Sequence, residues 1–304
     1  MKPLSFVIIT YDRPADMLEL AQNIASLKFA PELLEEVIIV NNQSTKDYSN
    51  LKTFIAATPS IPFRYYEAPA NLGVSGGRNF ALDKGKAPLI IMLDDDAVLQ
   101  NKDSLLLINE AFEKDRTSRP VAIVSFKVLY YENLRMQVNA FPHKEYDQKK
   151  GLPFFETYYY AGGAHAIKRE VLEKVGKYPE DFFYGMEEYD LSYRILNQGY
   201  SIIYDSGIVM LHKESPLGRK PKNEKLQMMW VNKAKVAWRY LPKRNFYTTA
   251  AMWSLQYLRI TGFNLKGFFN GWKQIRKIAS NEKRTPVGND ARNYLKKTNA
   301  RLWY

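Results

Sequence analysis

Four short apolar runs, rich in β-branched residues and closed by polar or turn residues, punctuate the first half of the chain: Phe6–Thr10, Val37–Val40, Leu89–Leu93 and Ala122–Phe126. Runs of this length without in-out alternation predict strands buried on both faces. Between the first two, Met17, Leu18, Leu20, Ala21, Ile24 and Leu27 recur at helical spacing across Pro14–Leu27, which predicts a β-α-β start. Further helices are expected over Tyr48–Ala57, Ser75–Lys84 and Ser104–Asp115. Later, Leu191, Ile195 and Leu196 predict a helix over Glu188–Gln198, and Ile202–Tyr204 and Ile208–Leu211 read as two short strands leading into His212. The alternation implies an α/β domain whose mostly parallel sheet is covered on both faces.

In such sheets ligands bind beyond the carboxyl ends of the strands. The residues there are Thr10, Tyr11, Asp12 and Arg13 after the first run, Asn41, Asn42 and Ser44 after the second, and Asp94, Asp95 and Asp96 after the third. Three adjacent carboxylates repel one another and raise one another's pKa unless a cation is near. A hard divalent ion such as Mg²⁺ or Mn²⁺ would relieve that conflict; a helix cap using Asp96 is the ordinary alternative. A second acidic cluster, Glu187, Glu188 and Asp190, falls at the start of the helix expected over Glu188–Gln198, where capping explains one or two acids and a proton-accepting carboxylate is the sharper reading. His212 alone would more often be structural than a ligand. The glycines of Gly73–Gly77 lack the spacing and preceding strand of a dinucleotide fingerprint.

At 304 residues, 46% of them hydrophobic and 14% aromatic, the chain can fill a substantial core. The absence of cysteine excludes disulfides, thiolate zinc sites and cysteine nucleophiles, and makes the cytosol the natural compartment. The apolar start is too short for a signal peptide and reads as the first strand. Charge divides the chain sharply. Residues 1–212 hold 23 Lys/Arg against 28 Asp/Glu, whereas residues 213–304 hold 21 against 4, so the net +12 comes from the last third.

The order of the motifs resembles family 2 glycosyltransferases. Val7–Arg13, Val40–Asp47, Asn71–Asn79, Leu93–Asp96, Gly162–Ala164, Gly185–Leu191 and His212 are similar to that family's successive signatures, over about residues 4–212. The resemblance implies a GT-A fold, a nucleotide-diphospho-sugar donor, with UDP- and dTDP-sugars favoured, and inversion at the anomeric carbon by direct displacement. By position, it implies that Thr10, Asp12, Arg13, Asn41 and Arg78 line the nucleobase and ribose pocket. Asp94 and Asp95 then lie by the donor, Asp96 and His212 hold the divalent cation, and Gly162 and Gly163 leave room for the sugar. Glu188 matches the catalytic base, with Glu187 and Asp190 orienting the acceptor or the helix cap. Two positions depart from the pattern: Asn41 replaces a common aspartate, keeping an acceptor oxygen without the charge, and Glu188 stands where aspartate is commoner.

The expected organisation is a catalytic domain over 1–212, a basic loop or lid and linker helix over 213–245, and an aromatic-rich basic helical tail over 246–304. Arg219, Lys220 and Lys222 in the loop suit a lid reaching the diphosphate. The longest uncharged stretch of the tail, Asn245–Leu258, is too short to span a bilayer. Its aromatics and cations fit equally packing onto the catalytic domain or another subunit and contact with an anionic membrane surface. The latter would suit a glycan acceptor carried on a polyprenyl diphosphate, as in bacterial surface-polysaccharide synthesis, with the protein peripheral on the inner membrane face. The aromatic loop Phe154–Tyr160 offers either core or acceptor-stacking surface. Three rivals remain: a nucleic-acid-binding protein, which leaves the acidic clusters unexplained; a sugar nucleotidyltransferase, whose Gly- and Arg-rich activating loop Thr10–Asp16 does not resemble; and an inactive transferase-like partner. The favoured reading is the transferase, without nucleic acid.

Overall fold

The computed structural model describes residues 1–302 except Asp115 and Arg219. The strands are β1 Leu4–Thr10, β2 Leu34–Asn41, β3 Phe63–Glu67, β4 Leu89–Asp94, β5 Ala97–Leu99, β6 Val121–Tyr130, β7 Phe154–Thr157, β8 Ala164–Lys168 and β9 Ser201–His212. The helices are α1 Pro14–Ala25, α2 Ala30–Leu33, α3 Ser49–Ala57, α4 Gly73–Leu82, α5 Ser104–Glu113, α6 Tyr146–Lys149, α7 Arg169–Val175 and α8 Glu187–Asn197, then α9 Lys222–Tyr240, α10 Lys243–Thr261, α11 Leu265–Ile275, α12 Ile278–Asn281 and α13 Asn289–Lys297.

One sheet runs β3-β2-β1-β4-β8-β6-β9-β5, with β7 also paired to β9. The pairs β1–β2, β1–β4, β2–β3 and β6–β9 are parallel, while β8 is antiparallel to both β4 and β6, so six strands share one direction and β5, β7 and β8 oppose it. This is the mostly parallel sheet flanked by helices that the sequence predicts. Register brings the carboxyl ends level: Thr10 pairs with Asn41 and Ile9 with Asp94. Farther along, His212 closes β9 opposite both Ala97 and Tyr130.

Successive side chains of a strand point to opposite faces, and the core divides accordingly. Leu4, Phe6 and Ile8 face a cluster with Met17, Leu20 and Leu105 of α1 and α5. Val7, Ile38 and Val40 face the other cluster, which takes in Ala81 of α4, Leu191 of α8 and the buried residues of the C-terminal helices. The segments 202–204 and 208–211, expected as two strands, form one. The register between β6 and β9 jumps from Phe126↔Asp205 to Lys127↔Val209, so Ser206–Ile208 bulge out of a continuous strand. The aromatic run after Leu152 is a strand and not a loop through Thr157, and Phe155, Tyr158 and Tyr160 are buried. Among the described residues no helix is long and apolar enough to cross a membrane.

Candidate active site

β4 delivers Asp94 to the carboxyl edge of the sheet, and the turn before β5 carries Asp95 and Asp96. Asp94 is 41% exposed at its side chain, whereas Asp96 is almost wholly buried. Asp96 Oδ2 accepts a hydrogen bond from the Ser215 amide at 2.8 Å, and Oδ1 lies 3.3 Å from His212 Nε2. His212 Nδ1 is 2.8 Å from Gln137 Oε1. An amide oxygen only accepts, so Nδ1 carries a proton and Nε2 is turned toward the aspartates. Burial pulls the His212 imidazolium down, but the hydrogen bond to Asp96 and the charges of Asp94 and Asp96 outweigh it and leave its pKa raised.

One ligand atom from each of Asp94, Asp96 and His212 lies within 4.8 Å of the others. Two carboxylates and an imidazole fixed from behind by an amide suit a hard or borderline divalent cation. Asp95 does not join them. Its Oδ1 pairs with Arg13 at 2.7 Å and its Oδ2 accepts from the Tyr11 amide at 3.3 Å. Burial pushes the Asp95 carboxyl up to about 6 against the pull of Arg13. Arg13 also reaches Asp96 at 3.3 Å and donates to the carbonyls of Ser215 and Leu217, so one guanidinium compensates two acids and ties down the segment after His212.

The second acidic cluster faces the first. Gly185 and Met186 take positive φ values of 78° and 73°, turning the chain sharply into α8, and place Glu187 and Glu188 in its first turn. Arg78, presented by α4 and nearly buried, stands between the clusters: 3.1 Å from Glu187, 3.9 Å from Glu188, 3.6 Å from Asp94 and 2.9 Å from the Gly162 carbonyl. Sequence position put Arg78 beside the nucleobase; the structure makes it the hub of the carboxylates.

Burial is the main force raising the Glu188 pKa, to about 8, with the neighbouring Glu187 charge adding and Arg78 opposing. Burial likewise raises Glu187 against Arg78, and among the described residues Glu187 Oε2 has no hydrogen-bond partner. Gly162 and Gly163 form the floor. A Cβ on Gly162 would overlap Glu188 Oε1, and one on Gly163 would overlap the Asp94 carboxylate. The place a side chain would take there is filled by the two carboxylates, and both glycines line the cavity.

The donor-side residues are more tied up than the sequence suggests. Thr10 Oγ1 meets Tyr48 Oη at 2.7 Å, and Asp12, at φ 55°, accepts from the Thr45 amide at 2.7 Å. Asn41 accepts from the Ser44 amide at 2.8 Å and donates to Tyr65 Oη at 2.9 Å, so its amide organises the loop. Its neighbour Asn42 lines the cavity, and it holds the entry to α4 by accepting from the Leu72 amide and donating to the Gly73 carbonyl. Asp190, expected to orient the acceptor or the helix cap, is turned to other partners. Its carboxylate is bound to Arg194, Arg239 and Tyr240, at 2.9, 2.8 and 2.9 Å, and it fastens α9 to α8 away from the cavity.

A single cavity of about 940 Å³ joins both clusters, bordered by Thr10, Asp12 and Arg13 at one end and by Tyr159, Glu188 and Tyr189 at the other. Tyr159 stacks on Tyr189, with centroids 4.9 Å apart, and Lys233 of α9 lies over the Tyr189 ring. Lys220, Pro221, Lys225 and Met229 complete the rim; Arg219, part of the expected lid, lies outside the described residues. Gln137 was missed by sequence reading because it sits in no periodic run, whereas Asn42 stands among the residues expected beyond the second strand.

Residues 5–176 match the family model for glycosyl transferase family 2. An uncharacterised protein of Haemophilus influenzae is 29% identical over 178 residues, 58% of this chain and 92% of that one. N-acetylgalactosaminyltransferase 6 of Drosophila melanogaster is 26% identical over 208 residues, 63% of this chain but 31% of that protein. Among solved structures, the mannosyltransferase of Pyrobaculum calidifontis in complex with GDP-Man and Mn²⁺ superposes with a TM-score of 0.59 at 17% identity, covering 98% of this chain and 79% of that one. S. aureus TarS in complex with UDP-GlcNAc gives 0.61 at 15% identity, covering 91% and 81%. With more than half its length matched and its sheet laid out as in these enzymes, the chain belongs to glycosyl transferase family 2.

Proposed function

We propose that the protein is a metal-dependent inverting hexosyltransferase. It moves a sugar from a UDP- or dTDP-sugar to a hydroxyl of a glycan or lipid-linked acceptor in bacterial surface-polysaccharide synthesis, working in the cytoplasm at the inner membrane face. The observation that carries this reading is the opposition, across the Gly162–Gly163 floor, of the Asp94–Asp96–His212 group and the raised Glu188 carboxylate. Both Glu188 and His212 lie beyond the family match, so their roles rest on this geometry.

In this reading residues 1–212 are catalytic, 213–245 form the lid and linker helix, and 246–304 the tail. The nucleoside occupies the end bordered by Thr10, Asp12 and Arg13. A Mg²⁺ or Mn²⁺ ion held by Asp96 and His212, with Asp94 alongside, would offset the charge developing on the departing diphosphate; the Mn²⁺ bound by the related mannosyltransferase supports that choice. Arg78 holds Asp94 and Glu188 in place from behind. As the acceptor hydroxyl oxygen attacks the anomeric carbon, its proton passes to Glu188 and the bond from that carbon to the diphosphate oxygen breaks on the opposite face, giving inversion. Tyr159 and Tyr189 offer the acceptor ring a stacking wall.

Thermal denaturation with UDP, dTDP, GDP and CMP sugars, each with and without Mn²⁺, tests the reading. A melting temperature raised by one uridine or thymidine donor only with metal is expected, and Asp96→Ala should abolish that rise. Folded protein that responds to none of the donors would overturn the proposal.

A further inference from the structure

The tail's aromatics divide into two sets. Trp230 of α9 is fully buried and stacks on Tyr257 and Phe268, at 5.7 and 6.0 Å, with Trp272 edge-on at 5.6 Å. These residues account for the packing of α10 and α11 onto the body. The others face out. Tyr247, Ala251, Leu255 and Arg259 recur every fourth residue along the exposed side of α10, and the stripe ends at Phe263 in the turn before α11. Leu265 and Phe269 continue it on α11. Exposures of 63% for Tyr247, 61% for Leu255, 71% for Phe263 and 66% for Phe269 make this far more than one stray apolar side chain. Phe263 is also held at φ 62°, a left-handed conformation costly for a bulky residue, which keeps its ring at the tip.

Charge selects the partner. From Lys225 to Asn281 the chain has no Asp or Glu and eleven Lys or Arg, and Arg259, Lys266 and Lys273 flank the exposed rings. Exposed apolar side chains flanked by Arg259, Lys266 and Lys273 match a surface with an apolar interior and anionic headgroups. Position gives the match a purpose. Lys225 and Met229 of α9 line the cavity, while Gln227, on the opposite side of that helix, bonds the Gly267 carbonyl and Asn270 of α11, so α9 links the face to the cavity rim.

We propose that this face of α10 and α11 docks on an anionic lipid bilayer, seating Phe263 and Phe269 among the headgroups. The docking deepens the lipid-linked acceptor reading but is independent of sugar transfer. The full chain is sedimented with vesicles of phosphatidylcholine alone and with phosphatidylglycerol added, alongside Phe263→Ser/Phe269→Ser and Lys266→Glu/Lys273→Glu variants. Wild-type binding should require the anionic lipid and weaken with salt, and each double variant should bind at least roughly tenfold more weakly at unchanged melting temperature. Equal binding to neutral vesicles, equal binding by folded variants, or wild-type self-association that both variants abolish without any vesicle binding would overturn the docking surface. Because donor-induced melting shifts are read separately, loss of lipid binding with donor binding intact refutes the surface alone, and the reverse refutes the transferase alone.

Discussion

At the scale of single residues, the site is a problem in placing like charges. Glu187, Glu188 and Asp94 surround Arg78, and one guanidinium within 3.9 Å of all three leaves the cluster acid-rich. A carboxylate at about 8 is protonated through much of the neutral range, and a base must be ionised to accept a proton, so transfer should rise with pH through that region. Glu187→Gln removes the like charge and leaves Arg78 more fully to Glu188. Both changes favour the ionised form, and the acid limb of kcat/KM should move to lower pH. Glu188→Gln should retain donor binding and lose transfer by roughly two to four orders of magnitude. An unmoved limb in Glu187→Gln, with Glu188→Gln still active, would remove Glu188 from the role of base.

Among elements, the joint between α8 and α9 matters most, because α8 carries Glu188, the proposed base, and α9 lines the rim. Asp190 is buried and receives Arg194, Arg239 and Tyr240, while Arg239 also pairs with Asp181 and Glu282. Replacing Asp190 by Ala leaves the buried Tyr240 hydroxyl without its acceptor, while Arg239 keeps Asp181 and Glu282, a loss of about 1–3 kcal/mol for a buried polar group left unpaired. A fall in denaturation midpoint is expected, with much smaller further loss when Tyr240 is already Phe, as a double-mutant cycle would measure. The family resemblance makes Asp190 an orienting residue for the acceptor or the helix cap; of its partners only Arg194 is one turn away, while Arg239 and Tyr240 lie some fifty residues on and leave no local mark. The same limit separates the legible elements from the hidden ones. β1, β2, β4 and β6 are continuous apolar runs and can be read directly, as can Asp94–Asp96 at the end of β4. β3 is a half-exposed edge strand, β5 has three residues, and β8 is the brief Ala-His-Ala-Ile-Lys stretch whose strand character comes from pairing with β4 and β6. Gly162 and Gly163 can be picked out as a motif, yet what fills the space above them appears only when Glu188 and Asp94 are brought there by chain folding.

For the molecule as a whole, the basic tail is part of the core. Trp230 donates to the Ala250 carbonyl at 2.9 Å, and Trp238 packs edge-on to Phe246 at 5.2 Å, so α9 is roofed by α10. The far end is knitted to the sheet: Tyr294 Oη bonds the Thr157 and Ile202 carbonyls of β7 and β9, at 3.0 and 3.1 Å, and His143 Nε2 meets the Thr298 carbonyl at 2.9 Å. A chain ending at Pro242 would therefore expose Trp230, Trp238 and the edge of β9 together. Each large aromatic freed from burial costs about 1.5–3 kcal/mol, and a domain has only about 5–15 kcal/mol in hand. Such a truncated chain should bind a hydrophobic dye, unfold without cooperativity and lose donor binding along with any affinity for lipid. Truncation therefore cannot separate membrane contact from folding, whereas substitution at the outward Phe263 and Phe269 can. If the truncated chain instead melted cooperatively at the full-length temperature, the tail would be an appendage and not a roof, and the packing of Trp230 would contribute little to stability.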